Sequence, residues 1–134
     1  MKVYLALGSN LGDRLGYILK ALDLLSEFLY IERLSTVYES APWGLTGQPP
    51  FLNLVVRASY RGLPNELLLK LLKVEKRVGR KRRTKWGPRE IDIDLLLFGN
   101  EVINTKLLTV PHPYLKERDF FLYPLLEIDK ELKD

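Results

Sequence analysis

At 134 residues, with 46% hydrophobic and 28% charged side chains, the chain is sized for one domain, 1–134, around a single core. It has no cysteine, which excludes disulfides and thiolate metal sites, and its formal charge of +4 is unevenly spread: ten of the 21 Lys and Arg residues lie between Lys70 and Arg89, where Glu75 is the only acid. No apolar run approaches the ~18 residues of a membrane helix and the N-terminus lacks a signal-peptide pattern, so the expected setting is cytoplasmic, with an anionic partner and no membrane.

Lys2 to Leu7 reads as a first strand, followed by the turn Gly8-Ser9-Asn10-Leu11-Gly12-Asp13, in which Asn10 or Asp13 can cap the next helix. That helix carries Leu15, Ile18, Leu19, Leu22, Leu25 and Leu29 at three- and four-residue steps. The glycine turn lacks both the Lys-Ser/Thr ending of a P-loop and the three-glycine dinucleotide spacing, so it is read as a strand-to-helix turn. Tyr30 to Glu39 is a second strand, and Ser40 to Pro50 is a Pro- and Gly-rich loop carrying Trp43, a lid on the core or a cover for a flat ring. Phe51 to Tyr60 is a third strand with Phe51, Asn53, Val55, Arg57 and Ser59 on one face. The Asn53 amide offers the donor and acceptor that an amide-bearing heterocycle requires, though an ordinary strand-end asparagine looks the same.

Leu63 to Val78 is the second strong helix, with Leu67, Leu68, Leu71, Leu72, Glu75 and Val78 as its stripe, Pro64 in its first turn and Gly79 at its end. Next come the basic arm and a strand whose alternation puts Ile91, Ile93, Leu95 and Leu97 on one face and Asp92, Asp94, Leu96 and Phe98 on the other. Glu101 to Ile103 is a short strand, and Leu107 to Pro113 an extended segment holding the lone histidine, His112, between Pro111 and Pro113. Tyr114 to Phe121 is a helical turn or loop, and Leu122 to Leu132 a last helix. The order β-α-β-β-α-β with C-terminal additions predicts an α+β, ferredoxin-like antiparallel sheet with helices on one face.

The chemistry centres on Trp86 to Phe98, WGPREIDIDLLLF. Asp92 and Asp94 project side by side from the opening of an interior strand, and unpaired buried carboxylates are costly. A cationic segment of Arg77, Arg80, Lys81, Arg82, Arg83, Lys85 and Arg89 feeds into them. A hard divalent cation on the aspartates, with the cations around a polyphosphate, reconciles the two halves.

The chain resembles the 6-hydroxymethyl-7,8-dihydropterin pyrophosphokinase family nearly end to end. The resemblance rests on LALGSNLGDR at 5–14, PWG and FLN within 42–53, GRKRRTKWGPREIDIDLLLFG at 79–99 and LTVPHP at 108–113. It implies a monomer that uses ATP and two Mg2+ ions and transfers the β,γ-pyrophosphoryl group to the pterin hydroxymethyl oxygen, releasing AMP. By the same resemblance, Asp92 and Asp94 match magnesium ligands, and Arg80 and Arg89 match arginines on the nucleotide phosphates that assist transfer. Glu75, Arg82, Arg83, Trp86, Thr109, His112 and Arg118 match the ATP site. The pterin pocket falls to Ser40, Pro42, Trp43, Gly44, Phe51, Asn53, Trp86 and Phe120. Three departures stand out: Phe51 where tyrosine is frequent, Leu107 where some members carry arginine, and an end soon after IDKELKD where longer members continue.

No general base is evident: Asp94 or a metal-lowered hydroxyl pKa would both serve. The loops at 40–50 and 79–89 are expected to close over the substrates. Another two-metal nucleotide-dependent transferase suits the same strand. An RNA-binding module does not, because the glycine-aromatic stacking signature is absent and such a module has no use for Asp92 and Asp94.

Overall fold

The computed structural model describes residues 1–41, 47, 49–81, 88–115 and 118–130, without the side chains of Asp119 and Phe120. Its elements are β1 (Lys2–Ser9), α1 (Arg14–Leu25), β2 (Tyr30–Leu34), β3 (Tyr38–Ser40), β4 (Phe51–Ser59), α2 (Pro64–Val78), β5 (Asp92–Phe98), β6 (Ile103–Asn104), β7 (Thr109–Val110) and α3 (Asp119–Ile128). The main sheet runs β2-β4-β1-β5 with β3 also on β4, every pairing antiparallel. With β2 and β3 counted as one interrupted strand, this is the ferredoxin-like order.

Helices α1 and α2 pack on one face of the sheet. Val3, Leu5 and Leu7 of β1 meet Leu54, Val56 and Ala58 of β4 there, with Ile18, Leu25, Leu67, Leu71 and Val74 from the helices. The expectation of helices on one face holds for these two only. The C-terminal addition covers the other face, where Phe121, Leu125 and Ile128 of α3 bury Tyr4, Ala6, Val55 and Leu96. This explains why β1 and β4 are apolar on both sides.

Four details depart from the periodic reading. On α1 the buried residues are Ile18, Ala21, Leu24 and Leu25, while Leu15 and Leu19 stay exposed, so the buried face is centred on Ala21 rather than on the leucine stripe. On α2, Val74 joins the buried set and Leu72 is exposed. In β5, Tyr4 faces Leu97 and Leu5 faces Leu95, leaving Leu96 as an extra residue. That bulge shifts the alternation by one place, so Phe98 joins Ile91, Ile93 and Leu95 on the α1/α2 side and Leu97 turns toward α3. Asp92 and Asp94 precede the bulge and keep the face their spacing predicts.

The fourth departure is the split of the Tyr30–Glu39 strand into β2 and β3. Buried Ser35 turns inward: its N–H donates to the Val55 carbonyl at 2.9 Å, and its hydroxyl accepts from the Val55 N–H at 2.9 Å. Next to it, the Thr36 N–H donates to the Glu127 carboxylate of α3 at 3.2 Å, which draws the chain out of the ladder. The short strand expected at Glu101 to Ile103 is shifted: β6 covers Ile103–Asn104 and pairs with β7. The last helix begins at Asp119, earlier than Leu122, and ends at Ile128, where Asp129 turns extended, short of the expected Leu132.

Ser35→Ala removes the acceptor for a buried N–H, which costs about 1–3 kcal/mol. The urea midpoint should fall with an unchanged m-value; an unaltered midpoint would show that Ser35 does not hold the strand break.

Candidate functional site

The site is built at the ends of three strands. Gly8 of β1 is the register partner of Asn53 on β4 and of Asp92 on β5. Partners in one row point to one face, so Asn53 and Asp92 flank a position with no side chain, on the side of the sheet away from α1 and α2. β1 continues through Ser9, beyond the expected end at Leu7, and this makes Gly8 a strand residue rather than a turn residue. A Cβ at Gly8 would lie 3.0 Å from Asn53 Oδ1 and 3.3 Å from a ring carbon of Phe51. The glycine is therefore a requirement of close approach, a role that spacing alone does not reveal.

On the β4 side, buried Asn53 donates from Nδ2 to the Ser40 hydroxyl at 2.8 Å. Ser40, Phe51 and Asn53, three of the residues matched to a pterin pocket, thus meet in one place. Pro42, Trp43, Gly44, Trp86, Arg82, Arg83 and the Phe120 side chain lie outside the described residues.

On the β5 side, both oxygens of Asp92 hold guanidinium groups: Arg80 Nη1 at 3.1 Å and Arg89 Nη1 at 3.2 Å. Behind them, Glu75 is 4% exposed and its Oε2 accepts from the Ile93 N–H at 2.7 Å and from Arg80 Nη1 at 2.8 Å. The Glu75 carbonyl also accepts from the N–H groups of Gly79 and Arg80, and Gly79, at φ 127°, makes the turn that brings Arg80 back. Glu75 therefore acts on the site through Arg80 and the β5 backbone. Burial, then the charge of Asp92, raises its carboxyl to about 7, with Arg80 and the Ile93 N–H opposing.

Asp94 lies deeper. Burial first, and Asp92 second, raise its carboxyl well above the usual carboxylate range, although Arg118 and Arg89 oppose the shift. His112 Nε2 stands 3.8 Å from Asp94 Oδ1, beyond hydrogen-bond length. His112 Nδ1 accepts from the Tyr114 N–H at 3.1 Å, which leaves the ring proton on Nε2, facing Asp94. Burial and the nearby Arg118 push this histidine down to about 4, so the ring is neutral at ordinary pH. Arg118 caps the start of α3 with its guanidinium carbon 4.7 Å from the Tyr114 ring centroid and 5.2 Å from that of Phe121. Thr109 opens β7, half-buried, in the segment that leads to His112.

Two site residues escape the sequence reading besides Gly8. Buried Glu90 accepts from the Lys81 N–H at 3.3 Å and closes the base of the basic arm. Asn10 caps no helix: Asp13 does that, accepting from the Gly16 N–H, while the Asn10 amide bonds the backbone at Pro49 and Arg89. Their partners are remote in sequence, so no local pattern marks them.

A ferredoxin-like sheet whose paired carboxylates are ringed by guanidinium groups, beside an aromatic-and-amide niche, is the layout of an enzyme that handles phosphate groups next to a flat polar ring. Among the described residues no three acidic or histidine side chains gather as a metal cluster, so a cation on Asp92 and Asp94 would draw further oxygens from elsewhere. The two aspartates suit a hard cation: they are oxygen donors, adjacent on one face, and at Asp94 the like charges already repel.

The family model for 7,8-dihydro-6-hydroxymethylpterin-pyrophosphokinase matches residues 4–130, and the chain belongs to that family. It is 67% identical over 127 residues to the 2-amino-4-hydroxy-6-hydroxymethyldihydropteridine pyrophosphokinase of Aquifex aeolicus, covering 95% of this chain and 79% of that protein. It is 42% identical over 132 residues to the enzyme of the same name from Bacillus subtilis, covering 97% and 79%. A mitochondrial folate synthesis bifunctional protein of Pisum sativum is 43% identical over 128 residues, 95% of this chain and 25% of the larger protein.

The buried carboxyl of Glu75 has a testable consequence for the metal-free protein. With its pKa raised from 4.5 to about 7, the folded state holds a proton that the unfolded chain releases, so stability from this group is present below pH 4.5 and is lost as pH rises toward 7. Glu75→Gln keeps an acceptor for Ile93 and does not titrate. The stability difference between the two proteins should move against the unaltered chain across that window by on the order of 3 kcal/mol. Denaturant unfolding in EDTA at several pH values measures it, and a constant difference would refute the assignment.

Proposed function

We propose that this chain transfers the β,γ-pyrophosphoryl group of ATP to the hydroxymethyl oxygen of 6-hydroxymethyl-7,8-dihydropterin, giving the pterin diphosphate and AMP for folate synthesis. The observation that carries the reading is the row Asn53–Gly8–Asp92, which sets a ring-reading amide and a phosphate-side carboxylate on either side of a gap. The family's pyrophosphokinase name supplies the reaction.

Asn53, with Ser40 fixing its orientation, reads the amide edge of the pterin, and Phe51 stacks on its face. Arg80 and Arg89 leave Asp92 for the phosphates and neutralise charge on the transferring group as AMP departs. Glu75 keeps Arg80 tethered during that exchange through the backbone N–H of Arg80. Asp92 and Asp94 would hold magnesium, which would supply positive charge to the polyphosphate and lower the pKa of the attacking hydroxyl. Arg118 and neutral His112 border Asp94 on its far side and complete the nucleotide side with Thr109. By the family resemblance, Arg82, Arg83 and Trp86 are assigned to the nucleotide, and Pro42, Trp43, Gly44, Phe120 and again Trp86 to the pterin. We place the enzyme as a cytoplasmic monomer of one domain, 1–134, working with two magnesium ions.

Product analysis with ATP, magnesium and the dihydropterin should give AMP and the pterin diphosphate. Asp92→Asn and Asp94→Asn, which keep side-chain shape, should each lower kcat by about a thousandfold or more. Pyrophosphate in place of AMP would mean attack at the α-phosphorus and a nucleotidyl transferase instead.

Gly8→Ala is expected to raise the pterin KM by at least about tenfold while the ATP KM changes little, because the new methyl pushes on Asn53 and Phe51. Equal effects on both substrates would contradict the division of the row into a pterin half and a phosphate half.

A further inference from the structure

One buried side chain touches both halves of the site without facing either ligand. Asn10 is fully buried just after β1. Its Nδ2 donates to the Pro49 carbonyl at 3.1 Å, and its Oδ1 accepts from the Arg89 N–H at 2.9 Å. The Asn10 N–H also donates to the Arg89 carbonyl at 3.2 Å. Pro49 lies two residues before Phe51 in the chain. Arg89 is the residue whose guanidinium group holds Asp92 at 3.2 Å. Four residues on, Arg14 Nη1 donates to the Pro50 carbonyl at 2.9 Å, so the same turn grips two successive carbonyls on the pterin side.

The amide is a rigid plane with a donor on one arm and an acceptor on the other. It satisfies a carbonyl and an N–H at once, from two arms fixed relative to each other. Because the site is buried, neither bond can be exchanged for water without leaving a polar group unpaired. A displacement of the backbone before Phe51 therefore tilts the plane and moves the acceptor on which the Arg89 backbone rests. The link runs equally in reverse.

We propose that Asn10 is a positioning residue that couples the two substrates: occupancy on the Phe51–Asn53 side favours the Arg89 placement that nucleotide binding needs, and the converse. This inference rests on the assignment of the two halves to pterin and nucleotide. The coupling is a single free energy, so nucleotide must tighten pterin binding by the same factor by which pterin tightens nucleotide binding.

The test is calorimetric titration of 6-hydroxymethyl-7,8-dihydropterin with and without magnesium and α,β-methylene-ATP, whose α–β link cannot be cleaved. For the unaltered chain the nucleotide should lower the pterin Kd by about tenfold or more. In Asn10→Ala that ratio should fall to within about twofold of one, while the Kd for each ligand alone changes far less. Asn10→Asp keeps the acceptor for Arg89 and the shape of the side chain but loses the donor to Pro49. It should uncouple the ligands too, and it serves where the alanine variant does not fold.

A folded variant that weakens each ligand singly yet keeps the ratio would show a purely structural asparagine and overturn the proposal, as would an unaltered chain with a ratio of one. An unaltered chain that binds no pterin at all would instead bring down the functional reading on which the coupling rests.

Discussion

The register of β1 is the constraint on which the site depends. β1 is paired along both edges, with β4 and with β5, and it is buried on both faces between α1 and α2 on one side and α3 on the other. A strand held in this way cannot slip by one residue without turning its apolar side chains to the wrong layer. The row Asn53–Gly8–Asp92 is thereby fixed by the packing of residues far from the ligands. The chemistry at the strand ends takes its alignment from Val3, Leu5 and Leu7 beneath it. A site that works by positioning and charge, rather than by covalent participation of the protein, gains from such a base.

Buried acids give the site its second anchor. Glu75 on α2 accepts from the backbone of β5 and from Arg80, so helix, strand and arginine share one carboxylate. Glu90 plays a similar part at the base of the basic arm. These groups use their hydrogen bonds to hold other groups in place, at Arg80, Lys81 and Ile93. Arg80 and Lys81, at the start of the arm, thus rest on two carboxylates that are themselves removed from solvent.

Much of this was legible in the sequence where the signal was local. The two main helices, the strand order and the shared face of Asp92 and Asp94 follow from periodicity, and Gly79 marks the end of α2. The features that escaped depend on partners distant along the chain. The bulge at Leu96 arises from pairing with β1, and alternation within β5 carries no trace of it, so strict alternation puts Phe98 on the wrong face. Ser35 breaks a strand because Val55 and Glu127 compete for its neighbourhood. Asn10 stands where a helix cap is expected, and only the approach of Pro49, 39 residues away, and Arg89, 79 residues away, gives its amide another task. Gly8 was read as part of a turn because nothing in the sequence shows that β1 runs two residues further.

The arrangement of Asp92 between Arg80 and Arg89 also bears on how the site meets ions. The acid and the two bases are one another's counter-ions, so each is already paired. A divalent cation arriving alone would find the carboxylate occupied, and a polyphosphate arriving alone would find the guanidinium groups occupied. A cation and a polyanion arriving as one body can trade partners with both, leaving the tally of opposite-charge contacts unchanged through the swap. On the proposed assignment, such a pocket would discriminate by valence pairing and open most easily to a ligand that brings its own salt.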